Sequence, residues 1–220
     1  FDISRKYKNV NNKIEKEELP EVDIVLTIGM YGDNIDFFRL KGIVENVLEI
    51  SELNKYDIIK EKNNSIYHPG ICANLKVGND IFATFGEVHP KVIMNYGINQ
   101  KVYIAEININ KITKYAKVNK KYQPIPKFPA LERDIAIVVD ENVEVGTIEK
   151  IIEKKSNKML EELKLFDVYR SDKLGNNKKS VAYNLKFRIK DRTLKDEEVN
   201  TVMKNILEQL EKELNAELRK

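Results

Sequence analysis

Tryptophan is missing from this 220-residue chain, and histidine and cysteine nearly so, with two and one respectively. The lone Cys72 cannot form a disulfide within the chain, which fits a reducing, cytoplasmic setting. Two histidines leave little material for acid–base chemistry, and no convincing acid/base pair accompanies them. The nine glycines form no phosphate-cradling run, and no nucleophile-elbow pattern occurs. No apolar run approaches the roughly 18 residues of a spanning helix, so no membrane partner is expected. Charge of one sign is missing too: 38 basic and 35 acidic side chains leave a net of +3. A nucleic-acid binder usually carries a clear basic excess, so any such contact must come from local placement of charge.

What is present is 42% hydrophobic and 33% charged, enough to bury a core and long enough for two small domains. No targeting segment is visible, and the chain opens on Phe1 inside a candidate strand, as a piece cut from a longer polypeptide would. Residues 1–8 alternate weakly, and 9–20 are polar, a solvated loop. Val22 to Gly29 is β-branched and predicts a strand. Asp36 to Leu48 carries Phe37, Leu40, Ile43, Val44, Val47 and Leu48 at helical spacing. Tyr56 to Ile59 is a short strand candidate, and His68-Pro69-Gly70 a turn. Two apolar runs, Ala73 to Val77 and Ile81 to Val88, flank Gly78-Asn79-Asp80 as a hairpin would. Pro90 to Tyr96 fits one or two helical turns, and Val102 to Ile109 another strand. The first half is thus a largely antiparallel sheet with at least one helix.

From Lys117 to Arg133 the pattern dissolves into a proline-bearing linker, which places a boundary between domains 1–121 and 122–220. Beyond it come a strand at Ile135 to Val139 and a helix at Thr147 to Lys155. Leu160 to Tyr169 is a strand with a bulge at Phe166-Asp167. A turn spans Lys173 to Lys178, and the strand from Ser180 to Arg188 alternates strictly. Thr193 to Asp196 has the spacing of a capping box for a final helix striped by Val199, Val202, Ile206, Leu210 and Leu214. Ala216 to Arg219 fits an edge strand. The order β-α-β-β-α-β is a split βαβ of ferredoxin type. The fold class is therefore α+β: an antiparallel-sheet domain followed by a ferredoxin-like domain.

Each of the two helices has one apolar stripe, so both must cover the same sheet face and leave the other free. Alternation sends Val181, Tyr183, Leu185 and Phe187 to the helices, with Ile135, Ile137 and Val139. Ser180, Ala182, Asn184, Lys186 and Arg188 go to the open face, with Asp134, Ala136 and Val138. Small residues (Ala136, Ser180, Ala182) meet in its middle, a surface on which unpaired RNA bases could lie. Asp167 interrupts an apolar strand. It either bonds to nearby backbone at a bulge or accepts from the ring N–H and amino group of a guanine. Lys127, Arg133 and Arg188 are candidates for phosphates or else a solvated rim.

In the first half His68, Cys72, Glu87 and His89 could be counted as a metal set. Pro69 and Gly70 break the helix that would align them, and tight N/S pairs are lacking, so no metal site is expected.

Several stretches resemble the bacterial phenylalanyl-tRNA synthetase β-subunit family, in order and over nearly the whole chain. They include FDIS (1–4), RLKGIVENVL (39–48), YHPGICANLKVGND (67–80), FGEVHPKVIMNYGI (85–98) and VYIAEINI (102–109). In the second half they are FPALERDIAIVVDENV (128–143), ELKLFDVYRSDKLGNNKKSVAYNLKFR (162–188), DRTLKDEEVN (191–200) and LNAELR (214–219). The resemblance implies an inert class II synthetase-like module, truncated at its N-terminus, followed by a ferredoxin-fold anticodon-binding domain. It implies partners as well: the α subunit of an α2β2 enzyme, and the anticodon stem-loop of tRNA-Phe, whose anticodon begins with guanine. ATP and Mg²⁺ would serve the parent enzyme, with no cofactor in this piece, and the β-subunit magnesium site would fall before Phe1. It favours guanine reading by Asp167, with Ala136 and Ser180 as base platforms. Around GEVHPKVIMNYGI no glycine-rich run ends in arginine, which argues against a working catalytic fragment. The reading from a different class is a ferredoxin-like module that senses a small molecule.

Overall fold

Backbone ladders build two separate antiparallel sheets. The computed structural model describes residues 1–8, 20–116, 122, 124–171 and 174–219. The expected loop over 9–19, linker residues 117–121 and 123, and Lys173 of the expected turn lie outside the described residues. Contacts divide the chain into two units, Phe1–Lys121 and Tyr122–Lys220.

The first unit runs β1 (Asp2–Lys8), β2 (Glu21–Tyr31), α1 (Phe37–Ile50), β3 (Asp57–Lys60), β4 (Tyr67–Val77), β5 (Asp80–Val88), α2 (Pro90–Asn95), β6 (Val102–Asn108) and α3 (Ile109–Tyr115). Its six strands pair antiparallel in the order β1-β2-β6-β5-β4-β3. Helix α1 starts where Asp36 accepts the Arg39 backbone N–H at 2.8 Å, the capping that a short carboxylate provides. Its stripe of Leu40, Val44 and Leu48 is buried in the core that holds Phe85, Ala105 and Ile107. Gly78, at φ +62°, turns the β4–β5 hairpin as the sequence suggested.

Two features differ from the reading. His68-Pro69-Gly70 belongs to β4 and not to a turn. Pairing with β5 jumps from Tyr67/Val88 to Cys72/Gly86, so Pro69 occupies an irregular stretch where its missing N–H breaks no ladder bond. Helix α3 went unread because it spans barely two turns, too few for a 3.6 period to show. Asn108 caps it through the Lys111 N–H at 3.0 Å, and Ile112 is buried.

The second unit runs β7 (Leu131–Asp140), α4 (Val145–Lys155), β8 (Leu160–Tyr169), β9 (Lys178–Phe187), α5 (Asp196–Leu214) and β10 (Glu217–Leu218). The sheet order β10-β7-β9-β8 with two helices is the ferredoxin-like α+β arrangement. Strand β7 starts four residues before the expected Ile135, because Leu131 to Asp134 pair with Asn184 to Phe187. Ile148, Ile151 and Ile152 of α4 and Val199, Val202, Ile206 and Leu210 of α5 pack on Ile135, Ile137, Val139, Val181, Tyr183, Leu185 and Phe187. Each such aliphatic side chain contributes on the order of 1.5–3 kcal/mol when fully buried. The helix cap falls two residues later than Thr193: Glu198 accepts the Lys195 backbone N–H at 3.0 Å and is braced by Arg192 at 2.7 Å. Among the described residues no helix of this unit lies on the opposite sheet face, and none in the chain is long and apolar enough to cross a membrane.

Candidate nucleic-acid interface

Cross-strand register defines what the helix-free face presents, because residues directly opposite in a ladder share a face. Ala136 pairs with Ala182, and Ala182 with Asp167, so these three form one row across β7, β9 and β8. On either side lie the rows Asp134–Asn184–Lys164 and Val138–Ser180–Tyr169.

Strand β8 needs a device to put Asp167 there. Leu163 and Leu165 face the helices, and strict alternation would send residue 167 the same way. The register instead slips between Leu165/Tyr183 and Asp167/Ala182, leaving Phe166 as the extra residue of a bulge. The slip reverses the parity: Val168 goes to the core, while Asp167 and Tyr169 turn outward. The Asp167 carboxylate is exposed, and no hydrogen bond or ion pair engages it among the described residues. The carboxylate is therefore not bonded to nearby backbone among the described residues.

The other sequence-chosen residues divide. Ala136 is half-buried on the face. Asp134 and Asn184 occupy each other, with Asn184 Nδ2 donating to Asp134 Oδ1 at 2.7 Å. Ser180 and Ala182 were expected as open platforms but are only 2% and 7% exposed. Ala182 sits on the central strand between β7 and β8, and Ser180 is reached by Arg219, which follows β10. Its backbone N–H donates to Ala136 O at 2.8 Å, and its guanidinium carbon lies 4.8 Å from the centre of the Tyr169 ring. On the way its Nη1 passes 3.5 Å from Ser180 Oγ.

Arg133 pairs with Leu185 and therefore turns to the helix side, where it meets Asp196 at the start of α5. Arg188 is drawn to Glu161, Nε to Oε2 at 2.6 Å, a charge contact without an aligned N–H···O bond. Lys127 is exposed and without an ion pair among the described residues. Tyr169 and Arg219 were not singled out from the sequence, whereas the bulge at Phe166-Asp167 was. The signal that could have found Tyr169 was its spacing of two from Asp167, which keeps both on one face. Arg219 could have been reached only by pairing β10 to β7.

The suggested metal set of the first unit does not converge. His68 Nδ1 accepts the Gly70 N–H and His89 Nδ1 the Lys91 N–H, both at 3.1 Å. Glu87 is held by Tyr103 Oη at 3.2 Å and Lys101 at 3.3 Å. Burial pushes the Cys72 thiol up to about 11, a poor metal ligand at neutral pH.

Residues 126–219 match the model of the ferredoxin-fold anticodon binding domain, and residues 1–109 that of the phenylalanyl tRNA synthetase beta chain CLM domain. The chain belongs to the phenylalanyl-tRNA synthetase β-subunit family. It is 45% identical over 205 residues to the phenylalanine--tRNA ligase beta subunit of Clostridium tetani, covering 93% of this chain and 26% of that protein. With the same subunit of Clostridium acetobutylicum the identity is 41% over 219 residues, 100% of this chain and 27% of that one. With that of Fusobacterium nucleatum it is 37% over 232 residues, 100% and 29%. The chain thus spans about a quarter of the length of the curated relatives it matches. The face carrying Asp167 lies wholly within the family's anticodon-binding domain.

Proposed function

We propose that the second unit holds the anticodon stem-loop of tRNA-Phe on its helix-free face, and that the chain supplies binding, not chemistry, to a phenylalanine–tRNA ligase. The observation that carries this reading is the β8 bulge, which brings an unpartnered carboxylate into one row with two alanines. An ionised carboxylate only accepts hydrogen bonds, and guanine alone offers a ring N–H and an amino group side by side. The two alanines on its inner side are small and leave height for a flat ring above the sheet.

In this reading Asp167 reads the base, Ala136 carries it with the buried Ala182 as the floor between them, and the Asp134–Asn184 pair borders the seat. Ser180 supports the group above it, and Lys127 meets phosphate from the rim. Arg133 and Arg188 reach phosphate only by exchanging their carboxylate partners, so they contribute little. The first unit packs against the α subunit of an α2β2 enzyme in the cytoplasm. Its relatives' naming as a ligase subunit supports a synthetase partner. ATP and Mg²⁺ serve the reaction elsewhere in that enzyme.

Titration of the chain with a tRNA-Phe anticodon stem-loop, carrying guanine or adenine at the first anticodon position, tests this. Asp167→Ala is expected to cost about 1–3 kcal/mol with the guanine loop and nothing with the adenine loop. Equal affinity of the unsubstituted chain for both loops removes base reading. A uniform loss in Asp167→Ala makes that residue structural.

A further inference from the structure

Arg219 is held in place but not neutralised. The other four arginines of the second unit, Arg133, Arg170, Arg188 and Arg192, sit against Asp196, Glu141, Glu161 and Glu198. Arg219 has no carboxylate partner among the described residues; its contacts are the Tyr169 ring and the long bond to Ser180. A guanidinium lying over a ring spends none of its N–H donors on a carboxylate, so most of the five remain available. The backbone beneath is fixed as well, by the bond to Ala136 and by the 2.9 Å pair of Glu217 with Lys178 next to it. The arginine is therefore pre-organised beside the row of Ala136, Ala182 and Asp167.

The surroundings make that cation matter. The face also carries Glu132, Asp134, Glu162 and Asp167 against Lys164 and Lys186, all placed outward by the register. Lys186, which shares a row with Glu132 and Glu162, is near Glu162 and Glu161 at 3.6 and 3.9 Å. The four carboxylates outnumber these lysines, so an RNA strand laid here needs a well-placed further cation to take up its backbone charge. We propose that Arg219, stacked on Tyr169, is a phosphate-binding residue of this interface, clamping the backbone of the nucleotide whose base lies on the Ala136–Ala182–Asp167 row. A planar fork suits phosphate oxygens in pairs, and the ring beneath it lowers the entropy lost on contact. The assignment rests on the reading of this face given above and extends it from base to backbone.

The test is the same stem-loop titration repeated over a range of salt concentrations. Arg219→Ala is expected to weaken the guanine and adenine loops alike, by about tenfold. It should also lower the slope of log affinity against log salt by about one. Arg219→Lys is expected to keep the slope while losing most of that affinity, because a point charge neither forks nor stacks. It carries the test if the alanine variant melts early. An unchanged slope in Arg219→Ala, with guanine discrimination still lost in Asp167→Ala, overturns this assignment and leaves the base-reading function standing. Tighter binding by Arg219→Ala also overturns it, since the guanidinium would then be covering the seat. Absence of stem-loop binding by the unsubstituted chain overturns both.

Discussion

Two side chains of the second unit show how a residue's surroundings decide its meaning. Asp167 is an acid in a strand whose alternation points to the core, yet the bulge at Phe166 turns it out into solvent. Tyr183, on the neighbouring strand, is the reverse: its ring is fully buried and its hydroxyl has no hydrogen-bond partner among the described residues. Burial pushes that phenol's pKa up, so it stays protonated. A buried donor without a partner costs about 1–3 kcal/mol relative to one that is absent. Tyr183→Phe is therefore expected to raise stability by roughly 1 kcal/mol, read as the midpoint of denaturant unfolding at unchanged slope. A lower midpoint would mean that the hydroxyl has a partner in solution. Asp167 and Ala136 were legible one by one as odd or small residues on an alternating strand. Ser180 and Ala182 were legible in direction but not in exposure; Ser180 is reached by Arg219, a remote part of the chain.

Elements were readable where a period ran long enough. Strand β9 and helix α5 declared themselves through strict alternation and a long apolar stripe. The irregular half of β4 did not, because its histidine, proline and glycine imitate a turn. The close fit there makes a prediction. A Cβ on Gly86 would lie 2.3 Å from Ile71 O and 2.8 Å from Cys72 Cα, both backbone atoms of β4 that cannot rotate away. Gly86→Ala is expected to destabilise the first unit by about 1–3 kcal/mol, seen as an earlier unfolding transition. An unchanged transition would show that β4 yields freely.

The start of α5 supplies a pH dependence. The Arg192 guanidinium, and then the Lys195 backbone N–H, pull the Glu198 carboxyl down to about 2 from its ordinary 4.5. A depressed carboxyl stabilises the fold above its unfolded value and loses that contribution as pH falls from about 4.5 towards 2. The pair is exposed, so the effect is modest and screened by salt. Melting temperatures of the unsubstituted chain and Glu198→Gln should differ by a constant amount above that window and converge within it. A difference that persists unchanged to the acid end would contradict the pairing.

At the scale of the molecule, the order of strands and helices was enough to give both the α+β class and the ferredoxin-like topology. Family membership, carried by matches to residues 1–109 and 126–219, agrees with that order. The bulge in β8 was expected at Phe166-Asp167, and the register slips there. What stayed hidden was long-range: the partner of each strand, and the reach of Arg219 to Ser180 and Tyr169. These depend on ladders between segments far apart in sequence, which local periodicity does not encode. In the proposed function the sheet face opposite α4 and α5 is the one that takes up RNA. Backbone amide shifts in the NMR spectrum of the chain, recorded while the tRNA-Phe anticodon stem-loop is added, test it most directly. The largest changes are expected at Ala136, Ala182, Asp167, Tyr169 and Arg219, with α4 and α5 little affected. Changes concentrated on the exposed sides of α4 and α5, with the Ala136–Ala182–Asp167 row silent, would contradict it.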